Sequence, residues 1–270
     1  MASITTEVFY PESDGKPMAE SPVHRDVMAE TIAALRDWFA DDPLAYVSGN
    51  EFLYFVEGDP RRNVSPDVWV ARGIDKSVRR PSYKTWEEGG KGPDLVIEVS
   101  SPSTRREDLR HKLGLYQDVL RVPEYYLFDP LGEYLDPPLQ GHRLVDGAYR
   151  PIAPEAGRLP SQVLGLHLEA DGTELRLFDP AAGRRLLTRK EELDQARAAE
   201  EKRKTRERRS RRELRATIRA QAAMIDVLNQ RLAAQGELLD LHRAIGEEAR
   251  ATVQRLRDEL AELKAERTSD

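Results

Sequence analysis

Residues 94–99 read Asp-Leu-Val-Ile-Glu-Val, and no other stretch restricts the fold as tightly. A run this continuous in aliphatic residues suits a central strand buried on both faces. Its sequel narrows the choice further. Ser101-Pro102-Ser103-Thr104 is helix-start chemistry, and Leu109, Leu113, Tyr116 and Leu120 recur at helical spacing to about Arg121. Val122-Pro123-Glu124 then leads into a strand, Tyr125-Tyr126-Leu127-Phe128, closed by Asp129-Pro130. Strand, helix and strand with short connections predict a right-handed crossover unit. The one charge inside the run, Glu98, is expensive to bury unless it is paired or metal-bound. A second reading stays open: Leu95, Ile97 and Val99 alternate with Asp94, Val96 and Glu98, so an edge strand would turn Glu98 to solvent.

Upstream, Ser21-Pro22 can cap and open a helix, and Met28, Ile32, Leu35 and Phe39 continue it until Asp41-Asp42-Pro43. Tyr46-Val47, Phe52 to Val56 and Asp67 to Ala71 read as strands, the first two separated by Gly49-Asn50. The polar stretch 72–91 is expected at the surface. Downstream, residues 131–185 read as hairpins turned at Asp146-Gly147, Asp171-Gly172 and Ala182-Gly183, with Leu175 to Phe178 as the last strand.

From about Arg184 the composition changes. All three Trp, all nine Tyr and all 17 Pro lie upstream, and the rest is rich in Ala, Glu, Arg and Leu. This predicts an irregular arm at 1–20, a globular domain at 21–185 and a charged helix at 186–270. Ile218, Ile225, Leu232, Leu239, Val253 and Leu260 share one heptad frame, and Leu214, Leu228, Ala249, Leu256 and Leu263 fall three residues on. Those are coiled-coil a and d positions, interrupted by Gly246, Gln221, Gln235 and His242, and they imply a partner helix. Straight, the segment would run about 120 Å. The run Lys202 to Arg212 carries eight basic residues and one acidic one; a solvated helix face is the plainer reading, nucleic-acid contact the other.

The net charge of −6 argues against a large basic footprint without excluding a local one. Cysteine is absent, which excludes disulfides and thiolate zinc sites and fits a reducing compartment. MASITTEVFY is no secretory leader and no apolar run approaches a membrane span, so a cytoplasmic protein is expected.

Asp67 follows Pro66 at the start of a strand, Glu98 lies within an apolar one, and Lys112 follows on the next helix. Two carboxylates and a lysine are the parts of a metal-dependent phosphodiesterase: the acids hold a hard cation through oxygen and the lysine stabilises charge on phosphate or hydroxide. Each has an ordinary alternative. Asp67, like Asp94, could be a turn residue, and Lys112 could pair with Asp108 at i,i+4 on a helix surface shared with Tyr116. Against that, the helix begins directly after the Glu98 strand, so its inner face packs near that strand's C-terminal end.

The stretch Pro93 to Pro130, PDLVIEVSSPSTRREDLRHKLGLYQDVLRVPEYYLFDP, resembles the signature of the Uma-two family of restriction-endonuclease-like proteins. The helix at His24, Ser65-Pro66-Asp67, Leu175-Arg176 and Gly183 extend the resemblance to about residues 20–190. It implies an α/β, restriction-endonuclease-like fold: a mixed central sheet flanked by helices, here followed by a long C-terminal coiled-coil helix. It implies a PD-(D/E)xK site with Asp67 and Glu98 as the acids. The pattern's lysine belongs two residues after Glu98, where Ser100 stands; in this family it has moved to the next helix, as Lys112.

The implied activity is that of a Mg²⁺-dependent endonuclease, with Mn²⁺ as substitute, hydrolysing phosphodiester bonds in DNA. Asp67, Glu98 and the carbonyl of Val99 would hold the metal. Lys112 would act on water or phosphate, with Asp108 positioning it and Tyr116 beside it. Arg105, Arg106 and Arg110 would contact phosphates. His24, where the family often has histidine, is an auxiliary candidate, as is Glu30; Glu51 could add a further carboxylate. A homodimer through the coiled coil is expected. The alternative is a catalytically inactive nucleic-acid-binding or coiled-coil interaction protein on the same fold.

Overall fold

A computed structural model describes residues 8–12, 21–100 and 111–267, with side chains to residue 261. The chain divides into two compact units, 1–195 and 196–270. The first opens with α1 (Pro22–Trp38). Strands β1 (Ala45–Ser48), β2 (Leu53–Tyr54), β3 (Asn63–Val64), β4 (Val68–Arg72), β5 (Tyr83–Lys84), β6 (Leu95–Val99) and β7 (Glu124–Phe128) follow. Then come β8 (Leu139–Val145), β9 (Ala148–Pro151), β10 (Leu159–Pro160), β11 (His167–Asp171), β12 (Glu174–Asp179) and β13 (Arg184–Arg185), and last the helix α2 (Arg189–Arg267).

Helix α1 starts where its capping chemistry says: Ser21 Oγ accepts the His24 N–H at 3.2 Å, with Pro22 in the first turn. Its C-terminal carbonyls at Phe39 and Ala40 accept from the Lys76 ammonium at 2.8 and 2.6 Å.

The central sheet is mixed, in the order β1-β4-β6-β7-β8-β9, and only β6 and β7 pair in parallel. β6 lies inside the sheet with every residue buried, so the edge-strand reading of Glu98 is excluded. Alternation sends its side chains to two cores. On one face Leu95, Ile97 and Val99 meet Val68, Val70, Val27, Met28 and Leu35 from β4 and α1. On the other, Val96 meets Trp69, Tyr116, Tyr125 and Leu127. Each of these aliphatic side chains contributes about 2 kcal/mol by leaving water.

Three expectations are corrected. The 72–91 stretch is not confined to the surface: Tyr83 is fully buried in β5, pairs in parallel with Leu53, and packs edge-on against Trp69 at 4.7 Å. One aromatic anchor outweighs the polarity around it. Leu175 to Phe178 is not the last strand, because β13 pairs with the end of β12. The crossover helix, in its described part, winds more widely than an α-helix: Leu115–Val119 is π-helical, and the Leu120 N–H reaches the Leu115 carbonyl at 3.0 Å. The beginning expected for that helix, at 101–110, lies outside the described residues.

The hairpin turns are found where expected. Asp146 and Gly147, both at positive φ, join β8 to β9 in a two-residue loop, as a type I′ turn requires. α2 opens with a capping box: Thr188 Oγ1 accepts the Glu191 N–H at 3.2 Å and Glu191 Oε2 accepts the Thr188 N–H at 2.8 Å. Among the described residues no helix is long and apolar enough to cross a membrane.

Candidate active site

β4 and β6 pair antiparallel with Val68 opposite Ile97. Extending that register by one residue sets Asp67 opposite Glu98, on the face that carries Trp69 and Val96. The Val99 N–H donates to Asp67 Oδ2 at 2.8 Å, tying the start of β4 to the end of β6. His24 Nε2, on α1, lies 3.3 Å from Asp67 Oδ1.

The close approach of three elements at this point depends on Gly49. A Cβ there would meet the Asp67 carbonyl oxygen at 2.0 Å and Ile32 Cδ1 at 2.8 Å. Next to it the Asn50 N–H donates to the Pro66 carbonyl at 2.8 Å. The chain leaving β1 is thereby pressed against the segment that presents Asp67, with α1 behind it.

Glu98 has no solvent exposure, and its carboxylate is held from the crossover segment. Lys112 Nζ donates to Oε2 at 2.9 Å and Tyr116 Oη donates to Oε1 at 2.6 Å. The two donors are four residues apart along the widened helical stretch, which presents both to one carboxylate. The Lys112 side chain is 13% exposed, whereas that of its partner is fully buried. An uncompensated charge at Glu98 would cost several kcal/mol, and these two donors offset that penalty.

The electrostatics tie the cluster together. Burial pushes the Asp67 carboxyl up, but the His24 hydrogen bond, the charges of Lys112 and His24 and the contact with Glu98 outweigh it, leaving its pKa below the usual value. Burial, then the charge of Glu98 and the bond to it, drive the Tyr116 phenol well above its ordinary pKa, so it stays protonated and donates.

The expected residues Asp67, Glu98, Lys112, His24 and Tyr116 thus gather in one place. Glu30 does not join them: it is exposed and lines a cleft with Asp26, Thr173 and Lys190. Asp108, Arg105, Arg106 and Arg110 lie outside the described residues. Ser100, at the pattern's lysine position, is buried and donates its N–H to the Phe128 carbonyl at 2.8 Å. Asp94 is a backbone clamp, accepting from the Arg72 N–H at 2.7 Å and Lys91 Nζ at 2.6 Å. Glu51 accepts from the Tyr46 hydroxyl at 3.1 Å, and burial raises its pKa. Gly49 was legible only as a turn residue; its role is a backbone approach that no local pattern announces.

The donor set is compatible with a hard divalent cation. Asp67 and Glu98 offer carboxylate oxygens only, each carboxylate has about four lone-pair sites, and Mg²⁺ is commonly bound by one or two carboxylates plus retained waters. Among the described residues no group of three His, Cys, Asp or Glu is arranged to hold a metal ion, so the two acids and water would make the site.

No curated protein matches the chain. A crystal structure from Anabaena variabilis ATCC 29413, described as a putative nuclease belonging to DUF820, aligns over 57% of this chain and 80% of its own, at 17% identity and a TM-score of 0.41. The sequence profile of Uma2, described as "Putative restriction endonuclease", matches residues 4–173, more than half of the chain, and the chain belongs to that family.

Proposed function

We propose that the chain is a metal-dependent endonuclease that hydrolyses phosphodiester bonds in DNA, with Asp67, Glu98 and Lys112 as its catalytic residues. The observation that carries this reading is the meeting of two carboxylates from neighbouring strands with the Lys112 ammonium, 2.9 Å from Glu98. Membership of a family described as restriction endonucleases supports it.

Asp67, Glu98 and the Val99 carbonyl would hold Mg²⁺, or Mn²⁺ in its place. When bound, the metal would supply a water of lowered pKa and polarise a phosphate oxygen. His24 and the Val99 N–H fix the Asp67 carboxylate, and the protonated Tyr116 fixes that of Glu98. Lys112 would turn from Glu98 toward the substrate and stabilise charge developing on a phosphate oxygen. Arg105, Arg106 and Arg110 would contact backbone phosphates, and Asp108 would hold Lys112 in place.

Leu214, Ile218, Leu232 and Leu260, among the heptad residues of α2, are exposed. A second copy of the chain would cover them as a coiled-coil dimer and bring two sites into one assembly. A cysteine-free chain of this kind suits the reducing cytoplasm.

The test is cleavage of plasmid DNA by the full chain and by Asp67→Ala, Glu98→Ala and Lys112→Ala, with Mg²⁺ and with a chelator. Cutting by the parent alone, and only with metal, is expected. Three variants that cut like the parent would remove the site assignment.

A further inference from the structure

The long helix holds a second charge feature that the site does not use. From Lys202 to Arg219 it carries ten basic residues, eight of them arginine, against Glu207 and Glu213. Every residue of the stretch is exposed. Three of the basic side chains make intrahelical ion pairs: Lys204 with Glu200 at 2.9 Å, Arg209 with Glu213 at 2.9 Å and Arg211 with Glu207 at 2.8 Å. Such exposed pairs contribute little and exchange readily. The other seven have no such pair among the described residues. A solvated helix face normally balances its charges at i,i+4, and this one carries an excess of eight.

We propose that residues 202–219 bind duplex DNA as a groove-entering helix, separately from the catalytic cluster. At about 3.6 residues per turn the basic side chains point to all sides of the helix. A flat anionic surface can engage one side only. A major groove about 12 Å wide admits a helix between two phosphate walls and engages its floor-facing side and both flanks. From Gln195 to Glu213 the helix has no large apolar residue, so it lacks the apolar face with which helices lie in membranes. The deep, narrow major groove of duplex RNA does not admit a helix, which selects DNA. The preponderance of arginine suits bidentate contact with phosphate and guanine. The basic run overlaps the first heptad residues, Leu214 and Ile218, and lies ahead of the rest of the seam, the order in which basic-zipper helices present a groove-binding segment before a dimerising one.

The test uses the full chain and a fluorescent 30-base-pair DNA duplex in EDTA, read by anisotropy over a salt series. The variant K202Q/R206Q/R212Q/R219Q removes four charges that make no intrahelical ion pair, at heptad positions outside a and d and their flanks. Expected are a loss of at least about tenfold in affinity and a salt slope smaller by about 3, as four phosphate contacts require. Its helicity by circular dichroism and its mass in solution should equal the parent's, and K202R/R206K/R212K/R219K, which keeps the charges, should keep the parent's salt slope. Because EDTA removes any metal, binding under these conditions separates this surface from the catalytic reading. Equal binding by parent and glutamine variant would overturn the proposal, as would no binding by the parent. Equal or tighter binding of duplex RNA, or of phosphatidylserine vesicles, would overturn it as well.

Discussion

Glu98 and Glu124 occupy neighbouring parallel strands, 0% and 1% exposed, yet the chain treats the two carboxylates differently. Glu124 is saturated. Arg143 donates to Oε1 through Nε and Nη2 at 3.0 and 2.8 Å, the Gln162 N–H adds a bond at 2.9 Å, and the Ser161 hydroxyl binds Oε2. Glu98 accepts from the Lys112 ammonium and the Tyr116 phenol and faces a second carboxylate, Asp67. A guanidinium fork with backbone amides fixes a charge for architecture. An ammonium on a flexible stem beside paired acids can be exchanged for another cation. Asp129 repeats the architectural pattern: its two oxygens accept the N–H groups of Leu131, Gly132, Tyr134 and Leu135, and it closes the turn after β7.

The contrast breaks most sharply under isosteric amides. Glu98→Gln should lower metal-dependent cleavage by about 10³-fold while leaving the unfolding midpoint nearly unchanged. Glu124→Gln should do the reverse, costing about 3 kcal/mol in urea denaturation while activity per folded molecule survives. If Glu124→Gln alone abolished cleavage, the division between the two acids would be wrong.

A smaller effect is expected at Gly49. An alanine methyl 2.0 Å from the Asp67 carbonyl must displace the segment, so Gly49→Ala should lose about 1–3 kcal/mol and most of the cleavage rate. A variant with parental activity would show that Asp67 tolerates displacement. Tyr116→Phe comes next. Loss of the 2.6 Å bond should cost about 1 kcal/mol and roughly tenfold in rate, measured by denaturation and steady-state cleavage.

The smallest effect is in pH. Burial raises the Glu51 pKa, so its contribution to stability is fully present below about pH 4 and is lost as pH rises through the folded value. Asp67 has the opposite sign: its folded pKa is lowered, so its contribution is present above about pH 4 and is lost as pH falls. Melting curves should therefore show Glu51→Gln gaining on the parent between pH 4 and 7. Asp67→Asn should lose ground as pH rises from about 2 to about 4, and run level with the parent above that. Parallel curves would reject both signs.

Much of this was legible in the sequence because it is local. The strands at 94–99 and 124–128, the Ser21 cap and the Asp146-Gly147 turn are written in spacing. Glu98 stood out because its run is otherwise apolar, and the structure places it centrally, where that anomaly demands partners. Glu124 and Asp129 did not stand out: each sits at a strand boundary, where an acid is ordinarily solvated, and their partners come from residues up to 39 positions away. Tyr83 was hidden for the same reason, since parallel pairing with β2 is not encoded in its neighbours. Helical spacing alone does not say which face of α1 meets the sheet, so it does not separate Glu30, which is exposed, from His24, which is buried.

The most direct test is an anomalous difference map from a crystal of the full chain soaked in Mn²⁺. The expected result is one peak within about 2.3 Å of carboxylate oxygens of both Asp67 and Glu98, with Lys112 turned away from Glu98. A fully soaked crystal with no peak between those two acids, and Lys112 still bonded to Glu98, would contradict it.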